Sequence, residues 1–197
     1  MKTLRYTKLQ IQRLLNDSLI TSWIAIGVVI VVFHQLNSNI TRGPWNPNPT
    51  AYQMIIGFDF SSLSSLYYLI LPIIASVAGV TLVAERQYNH SDLLEKSRIN
   101  KHNYLLANTL AALLVGGIIT SLPLIVDSLV AFVREQGMII DPFTVQGQVI
   151  PTESSYFKIF LNHPIAFLVG YIALTFMFSG GYAIISFLMF LIFKKKV

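Results

Sequence analysis

The sequence predicts an all-α integral membrane protein with about four transmembrane helices, an N-terminal interfacial helix and both termini on the cytoplasmic side. Three observations carry this reading. Charged residues make up 12% of the 197-residue chain and hydrophobic residues 54%, whereas a soluble domain carries about 25% charged residues. Four long stretches are apolar and almost free of charge. The basic residues cluster in alternate connections rather than scattering. Cysteine is absent, which excludes a disulfide framework, a thiolate nucleophile and a thiolate metal site.

Residues 2–16 come first. On a helical wheel Leu4, Ile11 and Leu15 align, with Leu14 beside them and Lys2, Arg5 and Arg13 on the other side. Such a segment lies along a membrane surface and anchors the chain there. The first span is expected over 19–36; at 1.5 Å per residue, about 27 Å is enough for a bilayer core. His34-Gln35-Leu36-Asn37 follows without a small-x-small cleavage site, so this run reads as a retained anchor. The outer loop 37–62, with Gly43-Pro44-Trp45-Asn46-Pro47, reads as turn-rich and irregular. The second span is expected over 63–83 and the third over 104–126, with apolar residues continuing past Asp127 to Val133. A second outer loop over 134–163 carries Tyr156-Phe157-Lys158-Ile159-Phe160-Leu161, read as an anchor at the membrane interface. The fourth span is expected over 164–193, starting at Pro164. The runs lack the two-residue alternation of a membrane barrel, and backbone groups in lipid must bond within their own segment, so each is a helix. The whole chain, 1–197, reads as a single transmembrane domain.

Lys and Arg set the topology. Lys2, Arg5, Lys8 and Arg13 precede the first span. Arg86, Lys96, Arg98 and Lys101 lie between the second and third. Lys194, Lys195 and Lys196 follow the fourth. These are eleven of the fourteen basic residues. The positive-inside rule therefore places both termini and the 84–103 loop in the cytoplasm. The sequence pI near 9.5 follows from this placement and from anionic lipid, so no nucleic acid is expected as a partner.

Within the spans, small residues mark where helices touch. Ala75 and Gly79 are four apart, as are Ala112 and Gly116, and Gly180 and Gly181 add two further close-approach points. Pro72 and Pro123 are expected to kink their helices. Trp23 and Tyr104 are expected at the cytoplasmic interface and Tyr67-Tyr68 at the outer one, as an aromatic belt. Asp127 lies twenty-three residues beyond Tyr104, about 35 Å along a helix, and reads as a solvated boundary residue. His34, His90, His102 and His163 have no metal-ligand spacing, so no metal site is expected. No phosphate-binding glycine loop, GxSxG or HExxH occurs, and no catalytic constellation is expected in the spans.

The 84–103 loop, AERQYNHSDLLEKSRINKHN, carries charges of both signs and is long for a connector. Ser91 or Asp92 can cap a short helix whose apolar face is Leu93, Leu94 and Ile99, a shape suited to docking in a groove of another protein. The order of elements, with Ala84-Glu85-Arg86, Leu93-Leu94, Ser97-Arg98 and then Tyr104 entering a span, resembles the membrane subunit of an ABC-2 type ABC transporter. Asn162-His163-Pro164 before a long span with Ser179-Gly180-Gly181 is similar to the same family's fourth helix. The resemblance implies an acidic residue at the membrane exit, mapped to Glu85 beside Arg86, and a coupling segment over Asp92, Leu93, Leu94, Ser97 and Arg98. It also implies a cytoplasmic ATP-binding partner subunit that holds ATP and Mg, none being bound by this chain, and a bacterial cell membrane as location. Family members usually have six spans and four are counted here, so the subunit is reduced or its last two spans are missing or supplied by another chain. Four helices enclose too little for a sizeable pathway, so a second membrane subunit, identical or not, is expected. The expected function is a permease subunit of an ATP-driven exporter. A gradient-driven transporter is disfavoured, because no acid or histidine is evident deep in a span. The alternative is a non-transporting accessory, immunity or assembly protein acting through helix contacts.

Overall fold

The structure is a computed structural model that describes residues 2–38, 50–59, 61–88, 100–135 and 154–193. Its elements are α1 (Lys2–Leu15), α2 (Ser18–Asn37), a 3₁₀ turn (Ala51–Met54), α3 (Ser62–Tyr88), α4 (Lys101–Arg134), α5 (Phe157–Asn162) and α6 (Pro164–Phe193). Among the described residues there is no strand. Four helices are long and apolar enough to cross a membrane: Ser18–Asn37, Ser62–Ala84, His102–Arg134 and Pro164–Phe193. The third is longer than 104–126 and carries Asp127 inside the helix. Pro72 and Pro123 both lie within helices.

The chain packs as two compact units. The first comprises Met1–Ala25, Leu71–Thr120 and Thr175–Val197, the second Ile26–Ile70 and Ser121–Leu174. Each long helix contributes a segment to both.

In the first unit, Asp17 ends the break between α1 and α2. Its Oδ1 accepts the Leu19 backbone N–H at 2.9 Å, closing one of the orphan donors of a helix start. Helix α1 buries Thr7, Gln10 and Leu14, and Tyr6 stacks on Tyr104 of α4 with ring centroids 6.2 Å apart. The Leu4 and Leu15 edge stays exposed, so the apolar stripe read from the wheel lies beside the packed face and is free to meet lipid. Tyr104 is buried, held by that stack rather than displayed in a belt. Small residues let backbones approach. A Cβ at Gly79 would meet the Ala183 carbonyl, Ser186 and the Phe187 amide; one at Gly116 would meet Ala183; one at Gly180 would meet Leu113. Ala75 and Ala112 are fully buried. Gly181 has nothing within 4 Å. Ser186 Oγ donates to the Ser76 carbonyl at 2.9 Å, a polar tie between α6 and α3 of the kind that holds helices together in lipid.

The second unit is organised by a segment the sequence reads as an irregular loop. Residues 51–59 fold back into a cluster of Tyr52, Met54, Ile55, Phe58, Ala131, Phe160 and Leu168. Tyr52 meets Phe132 edge-on at 5.3 Å and Phe160 at 5.5 Å, and Phe58 meets Tyr171 at 4.9 Å, the offset geometries that aromatic quadrupoles favour. Phe160 is fully buried while Tyr156 and Ile159 are exposed, so the patch expected as an interface anchor also clamps the core. Gly57 makes the turn, with φ of 91°, a region L-residues rarely adopt. A Cβ there would also overlap the Tyr171 phenol. Tyr67 is buried at 1% exposure, and Tyr68 bonds the Tyr171 hydroxyl. Tyr67 therefore lies in the interior rather than in a belt, and the Tyr68 hydroxyl is turned to α6. Gly27 packs on the Pro123 ring.

Candidate functional site

The folded-back segment seals a polar network in the second unit. His34, near the end of α2, is 1% exposed and stands between two carboxylates. Its Nδ1 lies 3.1 Å from Asp127 Oδ1 and its Nε2 lies 2.9 Å from Asp59 Oδ2. Each nitrogen–oxygen line requires a proton, and an imidazolium donating from both nitrogens supplies both. The three groups then carry one net negative charge.

Asp127 is 0% exposed, which corrects its reading as a solvated boundary residue. Distance along the helix was the wrong measure, since the 51–59 segment covers that part of α4. Its carboxylate accepts three donors: His34 Nδ1, Gln35 Nε2 at 2.7 Å and the Ile56 backbone N–H at 2.7 Å. A buried carboxylate needs such donors, since removing it from water costs several kcal/mol, of order 5 or more, without them. The Gln35 amide is oriented from its other side. Arg134 donates to both the Gln35 carbonyl and its Oε1, and to the Ser38 carbonyl at 3.4 Å. The guanidinium thus sits on the last carbonyls of α2, where the helix dipole favours a cation, and turns the Gln35 amide nitrogen toward Asp127.

Asp59 differs from Asp127. One oxygen faces His34, and the other, Oδ1, is buried and closes no hydrogen bond of normal geometry. Burial pushes its carboxyl up, but the His34 hydrogen bond, the neighbouring Ser61 and Ser64 hydroxyls and the His34 charge outweigh that and hold it below the ordinary carboxylate range. Beside it opens a cleft of about 650 Å³ lined by His34, Asn37, Ser38, Gln53, Asp59, Ser61, Ser62 and Leu63. The first unit has a larger groove of about 920 Å³ along α2 and α3, lined mainly by Leu19, Trp23, Pro72, Ile73, Val77 and Val80. His34 and Asp59 line the polar cleft, and Asp17 lines that groove.

His34 near the end of α2 and Asp127 on α4 are thus both buried and meet each other. Among the described residues no group of three or more His, Asp or Glu is arranged to hold a metal ion; here the ring nitrogens point at carboxylates instead of converging on a shared point. Of the residues expected to couple to an ATPase, Glu85 and Arg86 fall in the last turns of α3. Asp92, Leu93, Leu94, Ser97 and Arg98 lie outside the described residues. The sequence reasoning missed Gln35, Asp59, Gly57 and Arg134. A signal was available in Tyr52–Phe58, a run of mostly apolar residues inside a loop otherwise rich in turn residues. No protein-family model, curated protein or solved structure matches the chain.

Proposed function

We propose that this chain is a membrane-spanning permease subunit of an ATP-driven exporter, coupled to a separate cytoplasmic ATPase through the 84–103 loop. The observation that carries the reading is how the roots of that loop are held. Tyr104, at the start of α4, stacks on Tyr6 of the basic surface helix α1, and Thr81, Leu82 and Val83, just before the loop on α3, are buried. Close contacts at Gly79, Gly116 and Gly180 join α3, α4 and α6 in the same unit. A displacement applied to the loop by a partner would move packed helices rather than be absorbed by a slack connector. ATP and Mg act on the partner, and this chain supplies the membrane part. Both termini and the loop face the cytoplasm by the distribution of lysine and arginine, and the family resemblance implies a bacterial cell membrane. The α2 and α6 windows are only 28% and 22% buried, against 50% and 56% for α3 and α4. That leaves apolar surface for lipid and for a second membrane subunit.

The test is purification in mild detergent with the accompanying proteins identified. The proposal expects a Walker-motif ATPase in stoichiometric amount, lost when residues 92–98 are deleted from a chain that still inserts. Glu85→Lys or Arg98→Glu should leave insertion intact and uncouple ATPase activity from this subunit. ATPase binding that survives the deletion unchanged overturns the coupling assignment and leaves the accessory or assembly role.

A further inference from the structure

The polar network contains an asymmetry that its structural role does not require. Asp127 is saturated: its two oxygens take three donors. Asp59 is not, since its buried Oδ1 closes no hydrogen bond of normal geometry, with the Ser61 and Ser64 hydroxyls as its neighbours. His34, Asp59 and Asp127 together retain one negative charge after His34 has bridged both acids, and Arg134 offsets it on the Asp127 side through Gln35. Among the described residues that line the cleft, the basic side chain is His34, whose two ring nitrogens are already committed to the carboxylates. The rest of the polar lining is neutral: Asn37, Ser38, Gln53, Ser61 and Ser62. Arg134, the nearest cation on α4, is turned away onto the Gln35 and Ser38 carbonyls. The phenol of Tyr67 on α3 lies in electrostatic range of Asp127, and that of Tyr171 on α6 in range of Asp59.

We propose that this cleft is a binding site for a primary ammonium or guanidinium group, with Asp59 as its counterion and the surrounding hydroxyl and amide oxygens as additional acceptors. The volume of about 650 Å³ suits a small molecule or the basic end of a larger one. An ammonium has three donors and no acceptor. It therefore matches a site lined by a carboxylate, serine hydroxyls and side-chain amide carbonyls. An anion would meet the residual negative charge without a free cationic partner. His34 acts as a positioning residue, holding the Asp59 carboxylate ionised and aimed at the cleft. Gly57 sets the turn that brings Asp59 to this point. The inference stands on the cleft alone and does not need the ATP-driven reading.

The test uses the full chain in nanodiscs of phosphatidylcholine and phosphatidylglycerol. Binding of methylammonium, putrescine and arginine methyl ester is measured by calorimetry, with succinate and sodium as controls. Saturable binding of the ammonium or guanidinium probes, with none for succinate, is expected. Asp59→Asn should weaken it at least ten-fold. Ser62→Trp, a change at an exposed position at the cleft mouth, should abolish it without touching the network, and so serves if Asp59→Asn does not fold. Asp17→Asn, in the other unit, should leave it unchanged. Adding phosphatidylethanolamine separates two sources of the same chemistry: competition identifies a lipid headgroup as occupant, and its absence a soluble amine. No saturable binding of any ammonium or guanidinium probe, binding of sodium alone, or binding indifferent to both Asp59→Asn and Ser62→Trp would overturn the assignment.

Discussion

Replacing Asp127 by asparagine separates a buried acid from a solvated one. The side chain keeps its size, so packing is unchanged, but one oxygen becomes an amide nitrogen that cannot accept. Three donors now point at this group, from His34 at 3.1 Å and from Gln35 and the Ile56 backbone at 2.7 Å each. At least one is left facing another donor, and the His34 imidazolium loses one of its two counterions. A hydrogen bond to a charged group contributes about 1.5–3 kcal/mol, and breaking one partner of a buried ion pair costs about 3–5 kcal/mol. We therefore expect a loss of about 3–5 kcal/mol. The assay is unfolding in detergent micelles, by denaturant titration and by thermal melting followed on size exclusion. His34→Gln alone should cost a similar amount, and the double variant less than the sum, with a coupling of about 0.5–3 kcal/mol. A boundary residue in water would change stability by no more than about 0.5 kcal/mol. A loss below about 1 kcal/mol, with additive variants, refutes the buried network.

Gly57→Ala should destabilise by about 1–3 kcal/mol, because the position has positive φ and its Cβ would meet the Tyr171 phenol. Melting of Gly57→Ala in a Tyr171→Phe background should recover part of that loss. Gly79→Val should cost about 1–3 kcal/mol, since the obstructing atoms include the Ala183 and Phe187 backbone. Gly181→Ala, in open space, should instead be neutral or gain up to about 1 kcal/mol in the same melts. The Asp59 carboxyl is held below its ordinary value of 3.8. Its contribution is fully present above that value and is lost as pH falls through the lowered one. Stability against pH should therefore show no Asp59-dependent change between neutral pH and about 5, then a fall in more acid solution that Asp59→Asn removes.

The four spans were legible because lipid imposes a one-dimensional rule: a run of apolar residues of sufficient length must be a helix. The fourth span coincides with Pro164–Phe193, and the first and second shift by only one residue at each end. What composition could not give is what folds over what. Asp127 was misread because its position was measured along α4 alone, while the residues that bury it come from 51–59, some seventy positions earlier in the chain. Tyr67, expected in a belt, is likewise buried. Glycines were legible only in part. Gly79, Gly116 and Gly180 fit the small-residue pattern and sit against neighbouring helices, and Gly181, adjacent to Gly180, turns about 100° away into open space. Gly27 has no small partner four residues away, and its neighbour is the Pro123 ring. The His34–Asp59–Asp127 network joins three distant parts of the sequence, and nothing in the local spacing of any one announces the other two.

The most direct test of the account is the number of membrane crossings. The chain has no cysteine, so single cysteines can be introduced at Thr3, Asn48, Ser91, Gln146 and Val197 and labelled with an impermeant maleimide in intact cells and in lysed ones. Four crossings with the basic connections inside predict labelling of Asn48→Cys and Gln146→Cys in intact cells, and of Thr3→Cys, Ser91→Cys and Val197→Cys only after lysis. Thr3→Cys and Val197→Cys appearing on opposite faces, or Ser91→Cys sharing a face with Asn48→Cys, would contradict it.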